Sequence, residues 1–158
     1  MRDRAASLTA FAGSSPRQSF VVIPLLTLCA EVLRGRRPRL RAEWLALWIG
    51  GYVLYRASGR YRMARGAGSV GFARAPDRLV TTGPYGWSRN PMYLGHLLSL
   101  AGLALATGSP VAVVGLLWQW RRLAERVEID EERLERVFGD EYRDYAGRVP
   151  RWVPRTTP

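Results

Sequence analysis

The sequence has no lysine, one cysteine (Cys29) and one histidine (His96) among its 158 residues. A single cysteine excludes a disulfide framework within the chain. One cysteine and one histidine fall short of the three or four ligands that a zinc or iron site takes, so no metal is expected. A catalytic centre built on histidine would have to use His96, which sits inside an apolar run and reads more simply as a packed helix residue. All 24 basic residues are arginine, a bias that reflects coding composition rather than function. Acids are scarce in the first 124 residues, where 17 arginines face 4 acids. Residues 125–158 reverse this, with 7 arginines against 9 acids. The basic part is also the apolar part. That pattern fits arginines flanking membrane segments and not the basic face of a soluble nucleic-acid binder, so no nucleic-acid partner is expected.

Charge is absent altogether from Met92 to Trp120, 29 residues in which only His96 and Gln119 are strongly polar. One helix of that length would measure about 43 Å, well beyond the ~30 Å hydrocarbon core. Thr107-Gly108-Ser109-Pro110 interrupts the run. Glycine ends a helix, and serine followed by proline starts one, with Ser109 as N-cap and Pro110 at N1. The run therefore predicts an antiparallel hairpin of helices over 91–106 and 110–136, the second leaving the membrane near Arg121-Arg122. Two weaker apolar runs precede it, Ser19–Leu33 (with Glu31) and Ala42–Tyr55 (with Glu43). They are joined by a basic stretch, 34–41, that holds five arginines. A soluble helical bundle with a basic turn is the alternative. Glu31 and the lack of a small-residue cleavage site argue against a removed signal peptide. Residues 1–17 show no periodicity and are expected to be disordered, ahead of a single domain over 18–154 and a short tail at 155–158.

Residues 78–95 join turn chemistry to a helix start. Leu79-Val80-Thr81 is β-type in composition, and Gly83 and Pro84 punctuate a turn. Asn90 is placed to cap a helix with Pro91 at N1. The segment would bring Arg89, Tyr85 and Tyr93 to a helix mouth, a place suited to a carboxylate or phosphate. A snorkelling arginine in an interfacial tyrosine belt explains the same residues. Further on, Glu125–Phe138 reads as a charged helix stopped by Gly139. A short helix over 140–145 follows, with Tyr142 and Tyr145 on one face. Solvation of a helix face accounts for most of these acids.

Taken together, Gly83-Pro84-Tyr85, Arg89, Pro91, Tyr93 and Gly95, then the apolar hairpin, then Glu131-Glu132, Leu134, Phe138-Gly139, Tyr142, Tyr145 and Val149-Pro150-Arg151, resemble the isoprenylcysteine carboxyl methyltransferase superfamily, which has phospholipid methyltransferases among its relatives. The resemblance covers roughly residues 42–154. It implies an all-α integral membrane bundle with a C-terminal apolar hairpin and a cytosolic cofactor pocket, binding S-adenosylmethionine and methylating a lipophilic or lipid-anchored acceptor drawn from the membrane. It also implies site roles. Leu79, Val80, Gly83, Pro84 and Tyr85 would wrap the cofactor, with Asn90, Glu131 and Glu132 as further cofactor contacts. Arg89 and Tyr93 would act where cofactor and acceptor meet. The family often has histidine after the motif arginine, where this chain has Asn90, which cannot act as a base. Two other readings are an NADPH-dependent, sterol-type membrane reductase, whose motif also resembles Ser88-Arg89-x-Pro91-x-Tyr93-x-Gly95, and a non-catalytic membrane protein of the same fold. The acceptor, an acid or an amine, stays open.

Overall fold

The computed structural model describes residues 15–35, 41–66 and 77–153. Among them are five helices: α1 (Ser15–Leu33, with a π turn over Gln18–Val22), α2 (Ala42–Met63), α3 (Pro91–Thr107), α4 (Pro110–Phe138) and α5 (Asp140–Arg148). A single 3-10 turn, Gly83–Gly86, precedes α3. No strand occurs among the described residues, so the fold is all-α, and Leu79–Thr81 is irregular, with no partner strand among the described residues. The start through residue 14, the middle of the basic 34–41 stretch and the 155–158 tail lie outside the described residues, and Ser15–Arg17 already form the first turn of α1.

The hairpin predicted from the charge-free run is α3 and α4, each one or two residues longer than the pattern indicated. Of the described helices, α1 is long and apolar enough to cross a membrane, and α3 is a shorter apolar helix of 17 residues.

The chain forms two compact units, each made from two segments, and α2, α3 and α4 continue from one to the other. The first contains residues up to Tyr52 together with Gly95–Leu123. Its core is Ile23, Leu100, Leu103, Ala104 and Ala112, with Trp48 and Leu116 packed against them. Helix backbones meet directly here. A methyl group added to Gly51 would land on the backbone of Ser99 and Gly95, and one added to Gly102 would land on Trp48. Such glycine contacts are how membrane helices approach closely without large apolar knobs. The Ser99 hydroxyl donates to the Trp48 carbonyl at 3.0 Å across the same contact. Large apolar side chains cover the outside, with Leu25, Leu28, Val114 and Leu117 all more than half exposed, as a lipid-facing surface requires. His96 is fully buried and stacks on Phe20 with ring centres 4.8 Å apart.

The Ser109 hydroxyl, at the start of α4, donates to buried Glu31 at 2.7 Å. Glu31 also lies 3.3 Å from Arg34, so a carboxylate on an apolar helix has both a hydrogen bond and a counter-ion.

The second unit contains Val53–Leu94 and the chain from Ala124 onward. It holds the end of α2, the Gly83 turn, the first turn of α3, the charged half of α4, and α5. Gly139 donates its N–H to the Glu135 carbonyl at 2.8 Å and closes α4, as its position suggested. Tyr142 and Tyr145 share the buried face of α5, with ring centres 6.1 Å apart.

Candidate functional site

The chain between Gly83 and Tyr93 is held mainly by the C-terminal segment and α4. Its 3-10 turn is closed by Tyr85 N–H to the Thr82 carbonyl at 3.2 Å and Trp87 N–H to the Pro84 carbonyl at 3.3 Å. The buried Tyr145 hydroxyl donates to the Tyr85 carbonyl at 2.7 Å. Arg89 N–H donates to the Pro150 carbonyl at 2.9 Å, and the Ser88 hydroxyl reaches the Arg151 carbonyl at 3.3 Å. Two segments some 60 residues apart in sequence are thereby laced together.

The centre of this lacing is an ion-pair cluster. Arg89 forks onto Glu131, Nε to Oε1 and Nη2 to Oε2, both at 3.1 Å. Its Nη1 donates to the Ala146 carbonyl at 2.8 Å and the Val149 carbonyl at 3.4 Å. Glu131 also accepts from Asn90 Nδ2 at 3.0 Å and from Arg151 Nε at 3.1 Å. The side chains of Arg89 and Glu131 are only 14% and 11% exposed, so this is a sheltered, bidentate pair of the strong kind. The same Asn90 Nδ2 also reaches the Arg151 carbonyl at 3.2 Å.

A second acid lies beside it. Asp130 is 4% exposed, accepts the Tyr93 hydroxyl at 2.6 Å, and pairs with Arg126 at 3.3 Å. Sequence reading had paired Glu131 with Glu132; the acids that the fold buries are Asp130 and Glu131. Glu132 is exposed and lines a different, open groove with Glu135, Arg136 and Arg143. The cause is helical phase. Gln119, Leu123 and Val127 form the buried stripe of α4, and the next positions on that stripe are 130 and 131, with 132 turned away. The same stripe, read from sequence, would have found Asp130. Of the remaining expected residues, Tyr85 is buried, Leu79, Val80 and Pro84 are half-buried, and Gly83 is exposed.

Electrostatically the cluster is balanced, not acidic. Asp130 and Glu131 face Arg89, Arg126 and Arg151, and Glu128 stands 3.9 Å from Arg151. The phenols nearby stay protonated. Burial pushes Tyr85 up to about 12 against the pull of Arg62, and Tyr142 up to about 12 chiefly by burial, aided by the Glu131 charge. Burial also raises Tyr145. Both buried carboxylates are engaged by guanidinium groups, so the cluster holds no unengaged base.

The architecture is that of a small helical membrane protein whose glycine turn and acidic helix meet through one arginine. The family model for phospholipid methyltransferase matches residues 45–141, more than half of the chain, and the chain belongs to that family. Curated relatives include the mouse protein-S-isoprenylcysteine O-methyltransferase, 40% identical over 77 residues, covering 48% of this chain and 27% of that protein. The Arabidopsis thaliana protein-S-isoprenylcysteine O-methyltransferase B is 37% identical over 78 residues, covering 49% of this chain and 40% of that protein. The matched segment thus spans well under half of these relatives. Among solved structures, a eukaryotic intramembrane Ras methyltransferase (isoprenylcysteine carboxyl methyltransferase) is similar with a TM-score of 0.61 and 28% identity, covering 89% of this chain and 51% of that one. Family and fold make the chain an integral membrane protein. These relatives are methyltransferases, and the reductase reading gains nothing from them.

Proposed function

We propose that the chain is an S-adenosylmethionine-dependent O-methyltransferase acting on the carboxylate of a lipophilic or lipid-anchored acceptor, with its cofactor site on the cytoplasmic side. One observation carries the reading: the Gly83–Tyr93 segment and the Asp130–Glu131 pair, far apart in sequence, converge on Arg89 and Tyr93 in one sheltered cluster. The names of the relatives supply the reaction class.

The residues present suit such a cofactor. The exposed Gly83 turn offers backbone groups, and the Asp130 carboxylate and Tyr93 hydroxyl offer partners for ribose or amino groups. Leu79, Val80, Pro84 and Tyr85 would line its apolar side. S-adenosylmethionine, when bound, supplies an activated methyl on a sulfonium centre. The chain's own part is to orient the acceptor and exclude water. A carboxylate acceptor is already ionised at neutral pH and needs no base, which matches a cluster without an unengaged one. An amine acceptor would first have to lose a proton, and Asn90 cannot take it. Arg89 serves mainly to hold Glu131 and the carbonyls of Ala146 and Val149 to the 85–90 segment. Glu131 fixes Arg89, Asn90 and Arg151.

The test is transfer of labelled methyl from S-adenosylmethionine by the purified chain in lipid nanodiscs. A prenylated cysteine carrying a free carboxylate should be labelled in a base-labile ester. Base-stable label in phosphatidylethanolamine instead would select the phospholipid amine, and no label in either, with no cofactor binding, would overturn the reading.

A further inference from the structure

The last turn of α2 carries a residue that none of the motifs includes. Tyr61 lies against the Gly83 turn. Its hydroxyl is 2.9 Å from Thr82 Oγ1. Its ring fills the space where a side chain on Gly83 would stand: a Cβ there would lie 2.5 Å from Cζ and 2.7 Å from Cε2 of Tyr61. Gly83 itself has φ +60°, a conformation that side chains resist. The turn is therefore shaped twice over, by its own backbone and by an aromatic wedge. Arg65 stacks over the ring, with its guanidinium carbon 3.4 Å from the ring centre. It also donates to the Tyr61 carbonyl at 3.4 Å, which ties the cation to the helix end that carries the ring.

The geometry points to Tyr61 as a positioning residue for donor binding: it sets the conformation of the Thr82–Tyr85 turn, and Arg65 stacks over its ring. The inference rests on the reading that this turn contacts S-adenosylmethionine. The physical ground is pre-organisation. A glycine turn on a surface samples many conformations, and confining it before the ligand arrives removes an entropy cost from binding. Two contacts confine this one, the hydroxyl pair and the ring against Gly83, and the stacked cation holds the ring that makes them.

The test measures S-adenosylhomocysteine binding by calorimetry and methyl transfer by the full-length chain in nanodiscs. Tyr61→Phe removes the bond to Thr82 but keeps the ring, and should weaken binding about 3-fold to 10-fold, the scale of one hydrogen bond. Tyr61→Ala should weaken it further. Gly83→Ala should weaken binding strongly in the wild-type background and much less in the Tyr61→Ala background, because the ring it would strike is gone. In every variant the donor KM should rise while kcat and the acceptor KM hold, a split that general loss of structure does not give. Should Tyr61→Ala fail to fold, Thr82→Val reports the same bond from the other side and should match Tyr61→Phe. Equal affinity in wild type, Tyr61→Phe and Thr82→Val would overturn the inference. Absence of binding by the wild type would overturn the cofactor reading itself.

Discussion

Replacing Arg89 by alanine tests how the cluster is built. The substitution removes both bonds to Glu131 and both bonds to the carbonyls of Ala146 and Val149. Removing one partner of a buried ion pair costs about 3–5 kcal/mol when the other charge is left alone. Glu131 would not be left alone, since Asn90 and Arg151 still donate to it. The expected loss is therefore smaller, about 2–4 kcal/mol, and it should fall on the attachment of residues 145–151 to the 85–90 segment. At about 1.4 kcal/mol per decade, that is an opening of the C-terminal segment roughly 30-fold to 700-fold more frequent. Hydrogen exchange followed by mass spectrometry reads this directly, because the amides of Arg89 and Val149 are bonded in the laced region. Protection over 142–151 should fall while protection in the Leu100–Ala104 stretch of α3 stays as it was. Methyl transfer should fall with it. Arg89→Lys should land between, since an ammonium keeps the charge but cannot fork onto a carboxylate. Unchanged exchange over 142–151 in Arg89→Ala would refute the clamp, and unchanged exchange with lost transfer would return Arg89 to direct contact with substrate.

The acid pair can be separated by isosteric substitution. Glu131→Gln should lower the thermal midpoint and donor affinity, whereas exposed Glu132→Gln should leave stability within about 0.5 kcal/mol and affinity unchanged, both read by melting and calorimetry. Asp130→Asn and Tyr93→Phe should each weaken donor binding, and the double variant should add little to either, as two ends of one 2.6 Å bond do. Alkaline pH should be destabilising in a defined window. Unfolded tyrosines ionise near 10, while folded Tyr85 and Tyr142 hold their protons up to about 12, so the unfolded state loses protons first and stability falls as pH rises from about 10 to 12. With no lysine in the chain, no ammonium side chain titrates across that window. Tyr142→Phe should flatten the decline of the melting midpoint in detergent, and a midpoint independent of pH up to 11 in the parent would contradict the burial of these phenols.

Much of the fold is legible in the sequence because hydrophobic and charge patterns are local. The charge-free run and the Gly-Ser-Pro interruption locate α3, its turn and α4 within two residues, and Gly139 marks the end of α4. What local pattern does not decide is where a polar side chain goes once distant elements meet it. Ser109 and Asn90 have the chemistry of helix caps and stand at helix starts. Each gives its side-chain donor to a carboxylate, 78 residues away for Ser109 and 41 for Asn90. A cap uses the side-chain oxygen as an acceptor; the donor on the same side chain is a separate capacity, and only the folded chain brings it to a buried carboxylate, which gains from it.

The acid pair makes the same point within a single helix. Three acids run consecutively from Asp130 to Glu132, and composition treats them alike. Successive residues are about 100° apart around the axis, so three in a row span 200° and cannot all face one partner. Leu123 and Val127 fix which way the helix turns its buried side, and that side reaches 130 and 131. The two acids then diverge by the same 100°: Glu131 toward Arg89, Asn90 and Arg151, Asp130 toward Tyr93 and Arg126. One turn of helix thereby serves two tasks. Glu131 ties Arg89 and Asn90 to Arg151, and Asp130 accepts the hydroxyl of Tyr93 from the first turn of α3. If that division holds, substitutions at 131 should act on stability and binding together, and conservative ones at 130 on binding first.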